Sequence, residues 1–216
     1  PLYVRAGTSD PVVFRQIFIE REYACLDAVP APGLVLDLGA NVGYSSAYFL
    51  SRFPTCRVVA VEPDPDNFRS LERNLAPFGP RATAVRAGVW SRPARLALRP
   101  GGDRNDAAWA RQVAETTADD PGGFDAVDVP GLIARAGAAR VSILKVDVEG
   151  AEAEVFAAGA DGWLPAVDAL VIELHDDTVF GPATPVFDRA VAGHPFRRSR
   201  SGELTVLVRD AGGGGR

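Results

Sequence analysis

The chain has 216 residues, of which 47% are hydrophobic and 24% charged, and its net charge is −5. This length suits one domain with a sizeable core but is short for two ordinary domains. The modest negative charge and the scattered arginines argue against nucleic acid as a partner. No apolar stretch approaches the roughly 20 residues of a membrane helix, and the first residues lack the pattern of a secretion signal. We therefore expect a cytoplasmic protein without a membrane partner, with Cys25 and Cys56 as reduced core thiols.

Short apolar runs alternate with helix-like stretches, a pattern typical of a parallel sheet covered on both faces. The predicted strands are Val35–Leu38, Arg57–Val61, Ala82–Ala87, Val141–Val146 and Ala169–Leu174. The predicted helices are Tyr44–Ser51, Asp66–Leu75, Gly131–Ala136 and Ala151–Ala158. At the end of the chain, Phe196–Ser199 and Leu204–Val208 flank a turn signal and predict a hairpin. The fold class is therefore α/β: a doubly wound, mostly parallel, Rossmann-like sheet of about seven strands, with helices on both faces and an antiparallel C-terminal strand.

Four of the predicted strands end in an acidic residue. Asp37, Glu62, Asp147 and Glu173 stand at or next to the carboxyl ends of the first, second, fourth and fifth strands. In an open parallel sheet, ligands bind beyond these ends, where the winding of the chain reverses. We expect the functional site there.

The first strand leads into a glycine turn, Asp37-Leu38-Gly39-Ala40-Asn41-Val42-Gly43. Gly39 and Gly43 let the backbone turn sharply and let a ligand approach the next helix. Asn41 stands where a dinucleotide fingerprint has the glycine that makes room for a pyrophosphate. Asp37 could hold the ammonium group of a ligand, directly or through water. The turn therefore favours S-adenosylmethionine, which carries such a group, over a nicotinamide dinucleotide.

Glu62 follows the turn by about 20 residues, the spacing of an acid that accepts hydrogen bonds from ribose hydroxyls. The alternative is a solvated acid at the end of a strand. Next to it, Pro63 and Asn67 could shape the wall of an adenine site, and Gly88, at the tip of the third strand, would flank the base from the other side. These residues extend the predicted cofactor site.

The fourth strand holds the only lysine of the chain, Lys145. In an extended strand Lys145 and Asp147 point to the same face, so the lysine could pair with a nearby carboxylate. The alternative is a structural ion pair between Lys145 and Glu149, with Glu152 as a solvated charge in the next helix. Because Asp147 lies on the ligand side of the sheet, we predict a functional role for it in cofactor binding and catalysis.

His175 lies just after the fifth strand, among Glu173, Asp176 and Asp177. The unperturbed pKa of a histidine suits proton removal near neutral pH, and an adjacent acid could orient the ring. The alternative is a surface histidine that caps the strand. The other histidine, His194, precedes a proline and is read as a turn residue.

The motifs in this order resemble those of the FkbM-type methyltransferases, a branch of the class I S-adenosylmethionine-dependent fold. The resemblance runs from about Gly7 to Asp176 and is carried by Gly7–Asp10 with Val13–Gln16, Asp37–Gly43, Val61–Pro63 with Asn67-Phe68, Leu144–Glu152 and Glu173–His175. It implies O-methylation of a hydroxyl on a small molecule, often a sugar or a polyketide-type natural product. Residues 1–30 would form an N-terminal helical lid segment, 31–210 the class I methyltransferase domain and 211–216 a flexible tail.

The resemblance also bears on individual residues. Ser9 lies in the segment from Gly7 to Gln16, which either folds over the cofactor or packs as a helix through Phe14, Ile17 and Phe18. The segment Pro100–Pro121, with a helix at Ala107–Ala118, is either a cover for the site or a surface excursion. Related sugar and catechol methyltransferases hold a divalent metal after the fourth and fifth strands, where Asp147, Glu173 and Asp176 stand here. The chain departs from that pattern by having His175 in place of a second clear carboxylate or amide ligand.

The resulting hypothesis is transfer of a methyl group from S-adenosylmethionine to a hydroxylated acceptor, with or without Mg²⁺. The predicted catalytic residues are His175, Asp147 and Lys145, with His175 or Asp147 taking the hydroxyl proton. Two alternatives remain: an oxidoreductase using a nicotinamide cofactor, and a catalytically silent scaffold that keeps the cofactor fold. The sequence indicates neither the acceptor nor the oligomeric state.

Overall fold

A computed structural model describes residues 1–99, 112–117, 119–178 and 180–210. Its main feature is a seven-stranded sheet in the order β10-β11-β9-β8-β1-β2-β3. The strands are β1 (Leu34–Leu38), β2 (Arg57–Val61), β3 (Ala82–Val85), β8 (Val141–Val146), β9 (Val167–Ile172), β10 (Phe196–Ser201) and β11 (Leu204–Arg209). The first five of these strands are parallel, and β11 pairs antiparallel with β9 and β10. The predicted fold class is confirmed, including the antiparallel C-terminal strand.

Both faces of this sheet are buried, which explains the continuous apolar runs of its central strands. Successive residues of β1 enter different cores: Val35 packs with Val58 and Ile143, whereas Leu36 packs with Val59 and Leu144. The helices are α1 (Asp10–Phe14), α2 (Tyr44–Arg52), α3 (Pro65–Leu75), α4 (Val129–Arg135), α5 (Glu152–Ala157), α6 (Ala160–Trp163) and α7 (Ala183–Val191). Helices α2 and α3 cover one face of the sheet and α4 to α7 the other.

A second, four-stranded sheet stands beside the main one, in the order β4-β7-β5-β6. Its strands are β4 (Gly88–Val89), β5 (Ala94–Arg99), β6 (Gln112–Glu115) and β7 (Gly123–Val127). The predicted third strand was therefore too long, since β3 ends at Val85 and Gly88 pairs in the second sheet. The helix predicted at Ala107–Ala118 is wrong where it can be compared, because Gln112–Glu115 is a strand; residues 107–111 and 118 lie outside the described residues.

The first 30 residues form short helical pieces that pack on α2. Helix α1 is followed by a π-helical turn at Arg15–Ile19 and a 3₁₀ helix at Glu22–Leu26. The rings of Phe14 and Phe18 contact Tyr44 at centroid distances of 5.6 and 6.4 Å. Of the helices in the described ranges, none has the length and apolar character of a membrane span. The tail predicted at 211–216 lies outside the described residues.

Candidate active site

The glycine turn after β1 is fixed by close backbone contacts on both sides. The N–H groups of Gly39 and Ala40 donate to the carbonyl oxygen of Val61 at 3.0 and 2.9 Å, and the N–H of Asp147 donates to that of Leu38 at 3.1 Å. A Cβ on Gly39 would lie 1.7 Å from the carbonyl oxygen of Asp147, so only glycine fits. Asn41 has φ of +49°, a left-handed conformation that asparagine tolerates. The turn thereby joins the ends of β1, β2 and β8.

Beneath the turn, a buried ion pair forms what we call the floor, made of Asp37, Ser45, Ser46 and Lys145. Oδ2 of Asp37 accepts hydrogen bonds from both serine hydroxyls at 2.6 Å. Nζ of Lys145 lies 3.4 Å from Oδ1 of Asp37 and 3.4 Å from Oδ2 of Asp147, and it donates to the carbonyl oxygen of Gly39 at 2.7 Å. Burial lowers the pKa of Lys145, but the carboxylates of Asp147 and Asp37 outweigh it and raise the pKa above its usual value.

The contacts of the floor bear on two sequence predictions, one for the partner of Lys145 and one for the position of Asp37. The pairing of Lys145 with a carboxylate on its own face of the sheet is confirmed for Asp147, and the alternative partner Glu149 gives way to Asp37. Asp37 is fully buried under the turn, where α2 covers it, so its side chain contacts protein groups rather than the cleft. Lys145 stays charged at neutral pH and therefore cannot act as a base. Both residues hold the turn in place.

Above the floor lies a cleft with a volume of about 430 Å³, a size suited to a small ligand. It is lined by the N-terminal helices, the glycine turn, the tips of β8 and β9, and the β10–β11 hairpin. The residues are Ser9, Val12, Val13, Gln16, Ile17, Glu22, Tyr23, Gly39, Ala40, Asn41, Val42, Tyr44, Ser45, Lys145, Asp147, Glu149, Glu173 and Glu203. The N-terminal segment thus lines the cleft through Ser9, and its helix packs on Tyr44 through Phe14.

Four glutamates of this lining form what we call the rim: Glu22, Glu149, Glu173 and Glu203. Burial, together with the charge of Asp147, raises the pKa of Glu149 to about 8 and that of Glu173 to about 7. The same two causes raise the pKa of Glu22. The rim therefore gathers acidic side chains at the cleft, and the three with raised pKa values keep their protons to a higher pH than ordinary glutamates do.

His175 stands at the rim with one ring nitrogen on each of two glutamates. Nδ1 lies 3.0 Å from Oε1 of Glu152, and Nε2 lies 3.6 Å from Oε1 of Glu173. The contact with Glu152 raises the pKa of His175 to about 9, against the opposing effect of burial. The ring is therefore protonated at neutral pH, which removes its capacity to accept a proton there.

The alternative interpretation of the sequence, in which Glu152 is a solvated charge, is wrong. Glu152 is only 1% exposed, and its Oε1 atom also accepts the backbone N–H groups of Val148 and Gly150, both at 3.2 Å. Sequence reasoning missed it because its partners come from a turn and from another strand. The pattern Asp147-Val148-Glu149-Gly150 before it carried a signal, since a glycine after a strand indicates a turn with free N–H groups.

Glu62 lies behind the glycine turn and is 6% exposed. Its two carboxylate oxygens accept the backbone N–H groups of Asn41 and Asp64, both at 2.9 Å. Burial raises its pKa to about 7. Asn67 makes a further side-chain hydrogen bond with this carboxylate. Since a carboxylate can accept about four hydrogen bonds, Glu62 still has acceptor capacity for a ligand.

The other predicted cofactor residues fall into different surroundings. Asn67 receives a hydrogen bond from Arg5 at 2.9 Å, so the N-terminal segment crosses the side of α3 next to Glu62. Pro63 is half-buried beside it. Gly43 begins α2 with φ of +86°, and its α-carbon faces Leu71 rather than the cleft. Gly88 is packed against Leu96 and Phe124 of the second sheet, on the side where a Cβ would point.

Of the three predicted metal ligands, two lie together in the structure and one lies elsewhere. Asp147, Glu173 and His175 each place a ligand atom within 4.8 Å of the others. Asp176 points elsewhere: its carboxylate accepts the N–H and the hydroxyl of Thr184, both at 2.8 Å, in the first turn of α7. The trio that the structure brings together therefore has His175 where Asp176 was predicted.

This geometry can be compared with known proteins. The sequence model of the methyltransferase FkbM domain matches residues 37–193, the range that holds the turn, the floor and His175. The chain belongs to the FkbM methyltransferase family. Family membership implies S-adenosylmethionine as the cofactor, and the cleft beside the glycine turn has the volume of a small-ligand site and carboxylates in its lining.

Two curated relatives and one solved structure illustrate the likeness. The 31-O-demethyl-FK506 methyltransferase FkbM of Streptomyces tacrolimicus is 28% identical over 224 residues, which cover 90% of this chain and 84% of the relative. The AMB antimetabolite synthetase AmbE of Pseudomonas aeruginosa is 30% identical over 199 residues, covering 76% of this chain but only 9% of that protein. A precorrin-6y C5,15-methyltransferase structure from Geobacter metallireducens aligns with a TM-score of 0.51 at 12% identity, covering 97% of this chain and 94% of the other. This last likeness shows the fold.

Proposed function

We propose that this FkbM-family protein is an O-methyltransferase that methylates a hydroxyl of a small molecule. The observation that carries the proposal is the cleft, which is lined by the cofactor turn and by the side chains of Asp147 and Glu173, with a ring nitrogen of His175 within 4.8 Å of both carboxylates. A methyl donor on the turn and an acceptor against the β8 and β9 tips would then meet inside one enclosure.

The chemistry is a direct displacement. A lone pair of the acceptor oxygen forms the new C–O bond, the C–S bond breaks, and its electron pair neutralises the sulfonium. The hydroxyl proton must go to a base, for which Glu173 is better suited than His175. The pKa of Glu173 is raised to about 7, near the working pH, whereas His175 already holds a proton. Most of the rate would come from aligning donor and acceptor.

For the acceptor we propose a sugar or a polyketide-type natural product. The relative from Streptomyces tacrolimicus supports this choice, since its name states transfer to an oxygen of a demethylated FK506. The cleft supports it too, because its lining combines the apolar side chains of Val12 and Val13 from α1 with the acidic side chains of the rim. Such a lining fits a molecule that combines hydrocarbon with hydroxyls.

The test is a screen of sugar and macrolide-like acceptors with a methyl-labelled donor, followed by mass analysis of the product. We expect a gain of one methyl on an oxygen. Transfer to nitrogen or carbon, or none to any acceptor, would contradict the proposal. Calorimetry with S-adenosylhomocysteine and with NADH separates the rivals: a scaffold that keeps the cofactor fold binds the first without turnover, and an oxidoreductase binds the second.

A metal-assisted form of this reaction is the second candidate, favoured by the juxtaposition of Asp147, Glu173 and His175. Two carboxylate oxygens and one imidazole nitrogen fit a divalent cation such as Mg²⁺ or Mn²⁺. A bound ion would polarise the acceptor hydroxyl as a Lewis acid. The comparison is turnover in EDTA with turnover after re-addition of each ion; a rate unchanged by EDTA removes this candidate.

A further inference from the structure

Glu152 is the first residue of α5 and a buried carboxylate that the mechanism above does not use. A single oxygen, Oε1, meets three groups: the N–H of Val148, the N–H of Gly150 and Nδ1 of His175, at 3.2, 3.2 and 3.0 Å. Its side chain is wholly shielded from solvent. A buried carboxylate costs stability unless it is hydrogen-bonded, so these contacts define where it sits.

The first two contacts hold the turn between β8 and α5. Glu149 and Gly150 both have positive φ, +50° and +95°, and a left-handed glutamate costs about 1–2 kcal/mol. A Cβ at Gly150 would lie 2.7 Å from Cγ2 of Thr178, so this backbone also lies close to the segment after β9. The N–H groups that this conformation exposes converge on Glu152, as in an anion-binding nest. The carboxylate thereby stabilises a strained turn that presents Asp147 and Glu149 to the cleft.

The third contact orients His175. With Nδ1 directed at Glu152, the other nitrogen, Nε2, is turned toward Glu173. An acid that holds one nitrogen of a histidine fixes the ring plane and the direction of the other nitrogen. Glu152 therefore connects the two strand tips that form the acceptor end of the cleft.

We propose that Glu152 is a positioning residue for methyl transfer, which acts through the turn carrying Asp147 and through the ring of His175. This inference rests on the proposed function. Glu152 lines neither the cleft nor the cofactor turn, so its removal should disturb the acceptor end and spare cofactor binding.

The kinetic experiment compares E152A and E152Q with E154Q, a matched control at the next acid of the same helix. We expect E152A to lower kcat by about 10–100-fold, as for other residues that orient catalytic groups, with the Kd for S-adenosylhomocysteine within about threefold of wild type. E152Q keeps an acceptor oxygen for the turn and should recover part of the loss. E154Q should match wild type.

A double-variant cycle tests the route through His175. The loss in E152A/H175A should be clearly smaller than the product of the two single losses, because both changes disable the same unit. If the fold losses in kcat of the two single variants multiply in the double variant, the route through His175 is overturned. A wild-type kcat in E152A would overturn the whole inference. If E152A does not fold, the same comparisons are made with E152Q.

Nitrogen-15 spectra of the imidazoles give a readout that needs no acceptor. The chain has two histidines, so an H194Q variant assigns both, and the spectra are recorded in EDTA. We expect the Nδ1 signal of His175 to move in E152Q while the signals of His194 stay in place. An unmoved His175 signal overturns the inference and leaves the proposed function standing, whereas a wild-type protein that methylates no acceptor overturns the proposed function itself.

Discussion

The floor and the rim of the cleft use the same kinds of charged group in opposite ways. On the floor, Asp37 lies between two serine hydroxyls and Lys145, and the lysine has carboxylates and carbonyl oxygens around it. On the rim, the side chains of Glu22, Glu149 and Glu203 make no ion pair or hydrogen bond within the described part of the chain, and they stand close enough to repel. Paired buried charges build structure, whereas unpaired acids at a cleft, half-buried at Glu22 and Glu149 and exposed at Glu203, mark a place where a ligand binds.

The largest effect is expected on the floor. K145M leaves Asp37 buried without its cation, which should lower the free energy of unfolding by about 3–5 kcal/mol. Urea denaturation measures this change. The matched double variant K145M/D37N removes both charges and should regain a good part of the loss; if it regains none, the ion pair is not what Lys145 supplies.

A substitution on the rim should change the turnover rate rather than the free energy of unfolding. E173Q removes the proposed proton acceptor and should lower kcat by about 100-fold, with little change in the melting temperature. Labelled-methyl transfer at saturating donor gives the rate. E72Q, at an exposed acid of α3 outside the cleft, is the control and should stay within about threefold of wild type. Full turnover in E173Q would assign the proton to another base.

Glu62 combines one feature of the floor with one feature of the rim. Its side chain is buried, as on the floor, and its carboxylate keeps acceptor capacity for a ligand, as on the rim. E62Q loses the charge that would meet the ribose hydroxyls, so the Kd for S-adenosylhomocysteine should rise about tenfold, the size of one charged hydrogen bond. Isothermal titration calorimetry measures it, with the exposed E72Q of the same region as control. Equal affinity in E62Q and E72Q would remove Glu62 from the cofactor site.

The smallest effect is on the pH dependence of stability. The raised pKa values of Glu149 and Glu173 mean that the folded state binds more protons than the unfolded state above pH 4.5, so stability falls as pH rises from 4.5 to about 8. His175 acts in the same direction between pH 6.5 and about 9. Urea unfolding from pH 5 to 9 should show this fall, and E149Q should flatten it by on the order of 1 kcal/mol after solvent screening. A slope unchanged in E149Q would mean that Glu149 is solvated.

The main sheet was predictable because its central strands are buried on both faces, and such strands give continuous apolar runs in the sequence. Arg57–Val61 and Val141–Val146 were predicted to the residue. The second sheet was not predictable in this way, because its strands are short and half-exposed, with weak periodicity. Gly88 shows the consequence: the chain stays extended after β3 but changes partners, which depends on long-range pairing.

For the site, the sequence placed the acids at the strand tips but could not say which way each would face. Asp37 and Lys145 sit side by side in the register of β1 and β8, and that register brings them together below the turn. Asp176 lies four residues after the end of β9, and it binds the first turn of α7, a helix missing from the predicted elements. The direction in which an acidic side chain points depends on neighbours that are distant in sequence, and the burial of Glu152 is another example.

The floor has a practical consequence for following the protein in solution. Lys145 is the only lysine, and its side chain is 4% exposed. Apart from the amino terminus, an amine-selective reagent therefore has a single target, which it reaches only when the β1 and β8 tips separate. The rate of acylation at Lys145, read by mass spectrometry, would report opening of the cofactor turn, and bound S-adenosylhomocysteine should slow it.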